Sequence, residues 1–256
     1  MAIVCSLEKK FTMIIGGRGY ETATSLASRG EYPYPIERIV RDQRINTIFE
    51  GSSEIMRLFL AREAMDPHLK AAGEAVNTRL PLGRRLKAAT KAAGFYARWY
   101  PRQWLPFGFV STAGLEPALA RQVRYVQRTS RKLSRRMFHT MLRFGPKLER
   151  EQILLGRFVG VGAELFAIAA SCSRAQYFIN EGKNRAEVLS LVEHFCRESR
   201  RRIREFFRGI RHNNDRVGYQ LAQSVLGDAA NWMTEESVGE RHTETAKPKD
   251  REAVAS

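Results

Sequence analysis

The stretch that follows Glu116-Pro117 repeats apolar and basic side chains at helical spacing, and this periodicity constrains the fold more than any other feature of the sequence. Side chains three or four residues apart lie on one face of an α-helix. Proline suits the first turn of a helix, so Pro117 marks the start of a long one. The basic stripe is either a solvated face or an anion-binding ridge. The apolar stripe comprises Leu119, Val123, Val126, Leu133 and Met137, and the basic stripe comprises Arg121, Arg124, Arg128, Arg131 and Arg135.

Three further helices are predicted from the same spacing, and no stretch is typical of a strand. They run from after Gly145-Pro146 to about Asn180, from Ala186 to about Arg211 and from Asp215 to Met233. The first is nearly apolar all round and carries a seam of small residues, which lets another helix approach closely. We expect it to be the central helix of a bundle, with a cofactor groove as the alternative. The predicted fold class is therefore all-α. The small residues are Gly156, Gly160, Ala163, Ala167 and Ala170.

The charge of the chain indicates which partners it can bind. The 256 residues carry a formal net charge of +16, and the pI is about 10.3. Such a chain is expected to bind anionic surfaces: lipid head groups, nucleic acid or phosphorylated ligands such as coenzyme A. Nucleic acid is not favoured, because no nucleic-acid motif accompanies the charge.

Cysteine and histidine spacing indicates neither a metal site nor a disulfide framework. Cys5, Cys172 and Cys196 are far apart, which is typical of a reduced, intracellular protein. The histidines show no metal-binding spacing, so no metal is predicted. The longest mostly apolar run, Phe158–Cys172, contains an acidic residue and falls short of a bilayer span. We predict no transmembrane helix and a cytoplasmic location, with any membrane contact peripheral at the inner surface.

The region from Ala75 to Leu115 contains no acidic residue and combines cations with clustered aromatic rings. This combination suits a membrane interface, where rings lie at head-group depth and cationic stems reach outward. The alternative is a connector whose aromatic rings pack on the bundle. The cations are Arg79, Arg84, Arg85, Lys87, Lys91, Arg98 and Arg102, and the rings are Phe95, Tyr96, Trp99, Tyr100, Trp104, Phe107 and Phe109.

A polar loop places one carboxylate, Glu50, between an aromatic residue and a glycine. An aromatic neighbour excludes water from a carboxylate and raises its basicity, and glycine lets a ligand approach the backbone. Glu50 is therefore a candidate general base, or else an acid that favours a helix N-terminus. Short helices are predicted at Ile36–Arg44 and at Ser53–Met65, the second ended or bent sharply at Asp66-Pro67. Ile55, Leu58, Phe59 and Arg62 share the predicted apolar side of the second helix.

Several short motifs between Phe11 and Leu69 resemble the C-terminal helical domain of acyl-CoA dehydrogenases, in the same order and spacing. The helical extension that follows is closest in character to the very-long-chain, membrane-associated branch of that family. The motifs are Gly16-Gly17-Arg18-Gly19-Tyr20, Pro35-Ile36-Glu37-Arg38, Arg41-Asp42 and Phe49-Glu50-Gly51.

The resemblance implies an FAD-dependent oxidation of acyl-CoA thioesters to trans-2-enoyl-CoA in fatty-acid β-oxidation. Glu50 would be the base that takes the α-proton, while a hydride leaves the β-carbon for the flavin. Gly51, Ser52 and Glu54 would belong to the loop that touches flavin. Gly16 and Gly17 would let the backbone approach the flavin nucleotide of a neighbouring subunit. The implied partners are acyl-CoA and either further copies of the chain or a partner dehydrogenase chain.

The family's N-terminal helical domain and β-sheet domain have no counterpart in this sequence. We therefore expect a truncated dehydrogenase that is inactive alone. The alternative is a non-catalytic basic module that docks to anionic membrane or to a partner dehydrogenase chain. The predicted units are the partial C-terminal domain at 1–69, a basic-aromatic connector at 70–115, a helical bundle at 116–235 and a disordered tail at 236–256.

Overall fold

The structure is a computed structural model, and it describes residues 14–45, 48–49, 52–77, 79–105 and 110–227. No β-strand occurs in these ranges, and the all-α prediction is confirmed. Short 3-10 helices lie at Gly16–Gly19 and Gly145–Arg150. The α-helices are α1 Ala23–Ser28, α2 Ile36–Ile45, α3 Ser53–Val76, α4 Leu82–Arg102, α5 Pro117–Phe144, α6 Gln152–Asn180, α7 Arg185–Arg211 and α8 Asp215–Leu226.

Helix α6 is the central helix, as its apolar sequence predicts. It packs against α3, α5 and α7, so apolar residues on several of its sides are covered by neighbouring helices. Phe158, Val161 and Ile168 are almost fully buried. The prediction for the small-residue seam is confirmed at Gly160, where an added Cβ would lie 2.7 Å from the Phe206 ring. Glycine at this position lets α7 pack closely on α6.

One ion pair is enclosed between α6 and α7. Glu164 is 4% exposed, and it accepts hydrogen bonds from Nε and Nη2 of Arg202 at 2.6 and 2.9 Å. Arg202 also donates to the buried Ser199 hydroxyl. A charged side chain in a core needs such a partner, because removing it from water unpaired is strongly unfavourable. Arg202 explains how an acidic residue is tolerated in the middle of an apolar helix.

Helix α3 is longer than predicted. It continues through Pro67 to Val76, so Asp66-Pro67 does not end it, and the alternative of a sharp bend there stays a prediction. Proline removes one backbone hydrogen bond. Side chains on both sides of Pro67 are nevertheless buried, including Met65 and His68, and α3 packs against α4 and α6. Tertiary packing therefore holds the helix across the proline. The predicted domain boundary at Leu69 falls inside α3, and the division into domains stays a prediction.

Most of the aromatic rings of the basic-aromatic region pack inward. His68 lies 4.7 Å from the Trp99 ring and 5.8 Å from the Tyr96 ring, centroid to centroid. Phe138 of α5 closes this aromatic cluster, 4.8 Å from Tyr96. Tyr100 hydrogen-bonds His139 at 3.1 Å. These contacts favour the packed connector for α4 over rings inserted at a membrane. Phe107 and Phe109 lie outside the described residues.

The basic stripe of α5 serves two different purposes. Arg131 and Arg135 donate to the backbone carbonyls of Leu105 and Gln103, and Arg135 also stacks 4.0 Å from the Trp104 ring. Arg131 and Arg135 therefore hold the end of the basic-aromatic region against α5. Arg121, Arg124 and Arg128, which come earlier in the same stripe, line an open hollow on the surface.

Helix α6 is long and apolar enough to span a membrane. It has 29 residues and a mean hydropathy of 1.8 over its best window, of which 39% is buried inside the protein. A core helix passes the same test of length and composition. Packing on three neighbouring helices and the Glu164–Arg202 pair are features of a core helix. The expectation of no transmembrane helix stays a prediction that this packing supports.

The compact unit described so far ends at Arg211, and a second unit begins at His212 and contains α8. Helix α8 begins at the predicted Asp215 and is followed to Leu226, with apolar residues such as Val217 and Leu221 exposed. Its predicted continuation to Met233 and the predicted tail at 236–256 lie outside the described residues.

Candidate functional site

The polar turn that precedes α3 is the candidate catalytic site. Glu50 and Gly51, the predicted base and its neighbouring glycine, lie outside the described residues. Phe49, the residue before Glu50, is 67% exposed, and Ile48 is 66% exposed. The aromatic ring expected to shield Glu50 from water therefore has no cover among the described residues. A dry environment for a base at this turn requires another surface.

Ser52 and Glu54 occupy the start of α3. The Ser52 hydroxyl accepts a weak hydrogen bond, 3.4 Å long, from the backbone N–H of Ile55. It therefore caps the helix, which satisfies one of the free N–H groups of the first turn. Glu54 is exposed in that first turn, where a negative charge interacts favourably with the helix dipole. Each residue thus has a local structural role in addition to the flavin contact that the resemblance implies.

Gly16 and Gly17 form the start of the first 3-10 helix. Gly16 has a φ of +65°, a conformation that side chains of L-residues rarely adopt. A Cβ added at either glycine would meet nothing within 4 Å. The described fold therefore leaves open space beside this backbone, and a ligand or a neighbouring chain can approach it closely.

Charged residues of the matching motifs pair with one another on the surface. Along α2, Arg38 lies 3.5 Å from Asp42, and Arg41 lies 3.3 Å from Glu37. Exposed pairs of this kind contribute little to stability, on the order of 0.5 kcal/mol each. The pairs slightly stabilise a short helix that has no buried residue of its own.

A second set of ion pairs holds the segment around α1. Arg29 donates to Glu21 at 2.7 Å, and this hydrogen bond is the main cause that lowers the pKa of the Glu21 carboxyl. Arg18 pairs with Glu31 at 2.5 Å. The fully buried Leu26 anchors α1 between these exposed pairs. The paired glycines therefore lie in a segment that has its own ion pairs and one buried apolar side chain.

The predicted apolar side of α3 packs only in part, because Leu58 is partly buried against the core and its other members are exposed. Ile55 and Phe59 are 58% and 54% exposed, and Arg62 is exposed as well. The buried stripe consists instead of Ala61, Met65 and His68. These side chains, together with the partly buried Leu58, face α4 and α6. The exposed apolar residues beside the turn are Ile48, Phe49, Ile55, Met56, Phe59 and Leu60.

These residues form what we call the apolar edge, and it flanks the Glu50 turn on both sides in sequence. Exposed apolar groups in such number mark a surface that another surface covers. The described fold thus leaves two surfaces open, the backbone beside Gly16 and Gly17 and the apolar edge. The sequence indicated Glu50, but it did not distinguish a covered helix face from an exposed one.

Comparison with known proteins identifies the family of the chain. Residues 5–65 match the family model described as "Acyl-CoA dehydrogenase, C-terminal domain", and residues 117–232 match "ACAD9/ACADV, C-terminal domain". The chain belongs to the acyl-CoA dehydrogenase family. The resemblance of the motifs and of the helical extension is therefore confirmed.

Relatives support this membership along most of the chain. The "Probable acyl-CoA dehydrogenase FadE10" of Mycobacterium tuberculosis is 45% identical over 233 residues, which cover 90% of this chain and 36% of the relative. The human mitochondrial very long-chain specific acyl-CoA dehydrogenase is 30% identical over 179 residues, 66% of this chain and 26% of that protein. The chain thus spans about a third of the former's length and about a quarter of the latter's.

A solved structure shows the same fold. The acyl-CoA dehydrogenase of Bacillus anthracis, crystallised in complex with FAD, superposes with a TM-score of 0.52. The match covers 84% of this chain and 32% of that one, at 24% sequence identity. At this identity the likeness concerns the helical fold alone.

Proposed function

We propose that this chain supplies the C-terminal helical part of an FAD-dependent enzyme that dehydrogenates acyl-CoA thioesters between the α- and β-carbons. In this proposal the chain is inactive alone, because an N-terminal helical domain and a β-sheet domain complete the flavin and acyl sites. The apolar edge beside the Glu50 turn is the observation that carries it. An apolar surface of this kind next to a candidate base is suited to be covered by a further domain and an acyl chain.

Glu50 has the central role in the proposed reaction. The α-carbon of a thioester is only weakly acidic, so a base must lie close to it in a dry site. Glu50 accepts the α-proton, and its backbone N–H stabilises the developing negative charge on the thioester oxygen. The apolar edge excludes water once it is covered. The exclusion of water raises the basicity of the Glu50 carboxylate.

The described residues fit the margin of an FAD site. Gly16 and Gly17 leave their backbone open to a neighbouring group, and Ser52 offers a hydroxyl at the start of α3. These residues and Gly51 would hold FAD, whose flavin ring supplies the hydride-accepting chemistry when bound. Glu54 places a negative charge beside this margin and is less suited to a phosphate than to the flavin ring.

Reconstitution tests the proposal. The chain purified alone is expected to be colourless, and the chain combined or fused with the N-terminal and middle domains of a homologous dehydrogenase is expected to bind FAD. Anaerobic addition of acyl-CoA is then expected to bleach the flavin absorbance. Assembled protein that binds FAD but is not bleached by acyl-CoA of any chain length would contradict the proposal.

A second candidate is a non-catalytic module that docks to anionic membrane at the inner surface of the cytoplasmic membrane. The observation that favours it is the exposed side of α4, where Leu82 and Leu86 are 70% and 60% exposed among Arg84 and Lys87. Apolar residues flanked by cations suit an interfacial helix. The inward packing of Tyr96 and Trp99 leaves a smaller apolar surface for such contact than the sequence suggests.

Vesicle binding distinguishes the two candidates. If the module docks through α4, the full chain is expected to pellet with anionic vesicles in a salt-sensitive manner, and Leu82→Ser/Leu86→Ser is expected to release it. Leu191→Ser/Phe166→Ser, which changes two exposed apolar residues elsewhere, serves as the matched control. Equal retention of the two variants on vesicles would exclude docking through α4.

A further inference from the structure

A strongly cationic groove lies between α5 and α7. It consists of two hollows with volumes of about 310 and 280 Å³ that share Arg200 as a common wall. We call these two hollows the arginine groove. Its arginines are Arg121, Arg124 and Arg128 from α5 and Arg197, Arg200 and Arg204 from α7.

Few protein groups neutralise this charge. Glu193 is the carboxylate that lines the groove, and it lies 3.4 Å from Arg121. Arg128, Arg197 and Arg204 make no ion pair with any residue that the structure describes. Guanidinium groups stay charged at any physiological pH, so their mutual repulsion persists. A multiply charged anion in the groove would relieve it.

The floor of the groove contains polar atoms without partners. The central carbon of the Arg200 guanidinium lies over the Tyr125 ring, 4.1 Å from its centre. Its Nε is buried and has no hydrogen-bond acceptor in the described part of the chain. The Oε1 atom of Gln122, which lines the same hollow, is also buried and unpaired. A side-chain amide can turn by half a rotation, so Gln122 can present its NH2 group as a donor in place of Oε1.

We infer that the arginine groove binds a compact phosphate compound with several charges, of the diphosphate or triphosphate class. Arginine presents a planar fork of N–H donors that matches phosphate oxygens, and such charge-assisted hydrogen bonds are strong. Each hollow is at the small end of ligand pockets, which span roughly 300 to 1,000 Å³. The hollows thus have room for linked phosphate groups, and their charged walls do not suit an acyl chain. The groove lies on α5 and α7, apart from the Glu50 turn.

Calorimetric titration of the full chain with inorganic tripolyphosphate tests the inference. The variant Arg197→Gln/Arg204→Gln removes two exposed, unpaired cations and leaves Tyr125 and Arg200 in place. The matched control Lys147→Gln/Arg150→Gln removes the same charge from the 3-10 helix outside the groove. The titration is run at about 0.15 M salt, where distant charges are screened. Under these conditions the groove variant is expected to bind tripolyphosphate at least about tenfold more weakly, which corresponds to the loss of one or more charge-assisted hydrogen bonds. The control is expected to bind like the original chain.

Three results would overturn the inference. The first is an equal loss of affinity in both variants, which would mean attraction by net charge alone. The second is unchanged affinity in the groove variant. The third is an original chain that binds neither tripolyphosphate nor vesicles. Phosphatidic acid vesicles identify the source of the phosphate. Vesicle binding that tripolyphosphate displaces and the groove variant abolishes assigns the groove to a lipid head group. Vesicle binding that survives in the groove variant places membrane contact elsewhere and leaves the free phosphate titration to decide.

A duplex oligonucleotide that binds more tightly than tripolyphosphate and loses affinity in the groove variant would assign the groove to nucleic acid instead.

Discussion

The Glu164–Arg202 pair between α6 and α7 allows a quantitative test of the packing. Replacing Arg202 by Met leaves the Glu164 carboxylate, 4% exposed, without its partner. Breaking a buried pair from one side costs about 3–5 kcal/mol. Because the Arg202 side chain is 29% exposed and water can reach its end of the pair, we expect about 3 kcal/mol, the low end of that range.

The other corners of the double-mutant cycle have different expected values. Glu164→Leu leaves a partly exposed guanidinium that can turn to solvent, and it should cost about 1–2 kcal/mol, within the range for an unsatisfied polar group. Glu164→Leu combined with Arg202→Met removes both charges and is expected to lie within about 1 kcal/mol of the original chain. The coupling between the two sites is then at least about 3 kcal/mol in magnitude.

Urea unfolding followed by circular dichroism gives the four free energies of unfolding. Arg201→Met is the matched control on the same helix, because the Arg201 side chain is 53% exposed and its ion pairs lie on the surface. It is expected to change the free energy of unfolding much less than Arg202→Met does. If Arg202→Met and Arg201→Met destabilise the chain equally, Glu164 is not enclosed between α6 and α7, and the described packing is wrong.

Three further predictions concern stability. Gly160→Ala is expected to destabilise the chain by about 1–2 kcal/mol, because overpacking against Phe206 outweighs the helix preference of alanine. Gly162→Ala, which has open space at its Cβ, is expected to stabilise it by about 0.5–1 kcal/mol, and urea midpoints that move in the same direction for both would refute close packing at Gly160. Burial lowers the pKa of His68 below 6.5, so the unfolded chain binds the proton more readily and stability is lost as pH falls below that value. His68→Phe is expected to reduce this loss, measured as the change in urea midpoint between neutral and mildly acidic pH, and an unaltered pH dependence would contradict it. Ser52→Ala removes the cap of α3 and is expected to cost about 1 kcal/mol, whereas Ser52→Asp retains it, and equal urea midpoints for the two variants would show that the cap is not formed.

The long helices of the bundle could be predicted from the sequence because each has a clear periodic pattern. Helix α5 begins at Pro117 and α6 ends at Asn180, as predicted, and α7 begins one residue before the predicted Ala186. Glycines with positive φ occur at the predicted break before α6, Gly145, and just after the predicted end of α6, at Gly182. At these places local chemistry and tertiary packing favour the same structure, so sequence reasoning is sufficient.

Two features could not be predicted because they depend on tertiary contacts. A proline normally ends a helix, but burial of Met65 and His68 on neighbouring helices outweighs the lost hydrogen bond at Pro67. The aromatic rings of α4 match both an interface and a packed connector, and Phe138 and His139, about forty positions away in α5, determine the outcome. Periodicity within a single helix does not reveal which partner covers each face.

The candidate site was predicted from short motifs rather than from periodicity. Family resemblance identified the Glu50 turn and the paired glycines, and membership of the family is shown. The roles of Glu50, Gly16, Gly17, Gly51, Ser52 and Glu54 stay predictions. The arginine groove was only partly visible, because the stripe on α5 gave no indication that arginines of α7 lie opposite part of it.

The most direct test of the proposed function is the rate of flavin bleaching by acyl-CoA in reconstituted assemblies. Glu50→Gln is expected to retain flavin and ligand, since glutamine has nearly the same shape, but it cannot accept the α-proton at neutral pH. The bleaching rate should fall by at least on the order of a hundredfold, the low end for a positioned general base. Glu63→Gln, which changes an exposed carboxylate further along α3, is the matched control and is expected to bleach at nearly the original rate. Bleaching at an undiminished rate in Glu50→Gln would show that the base lies elsewhere.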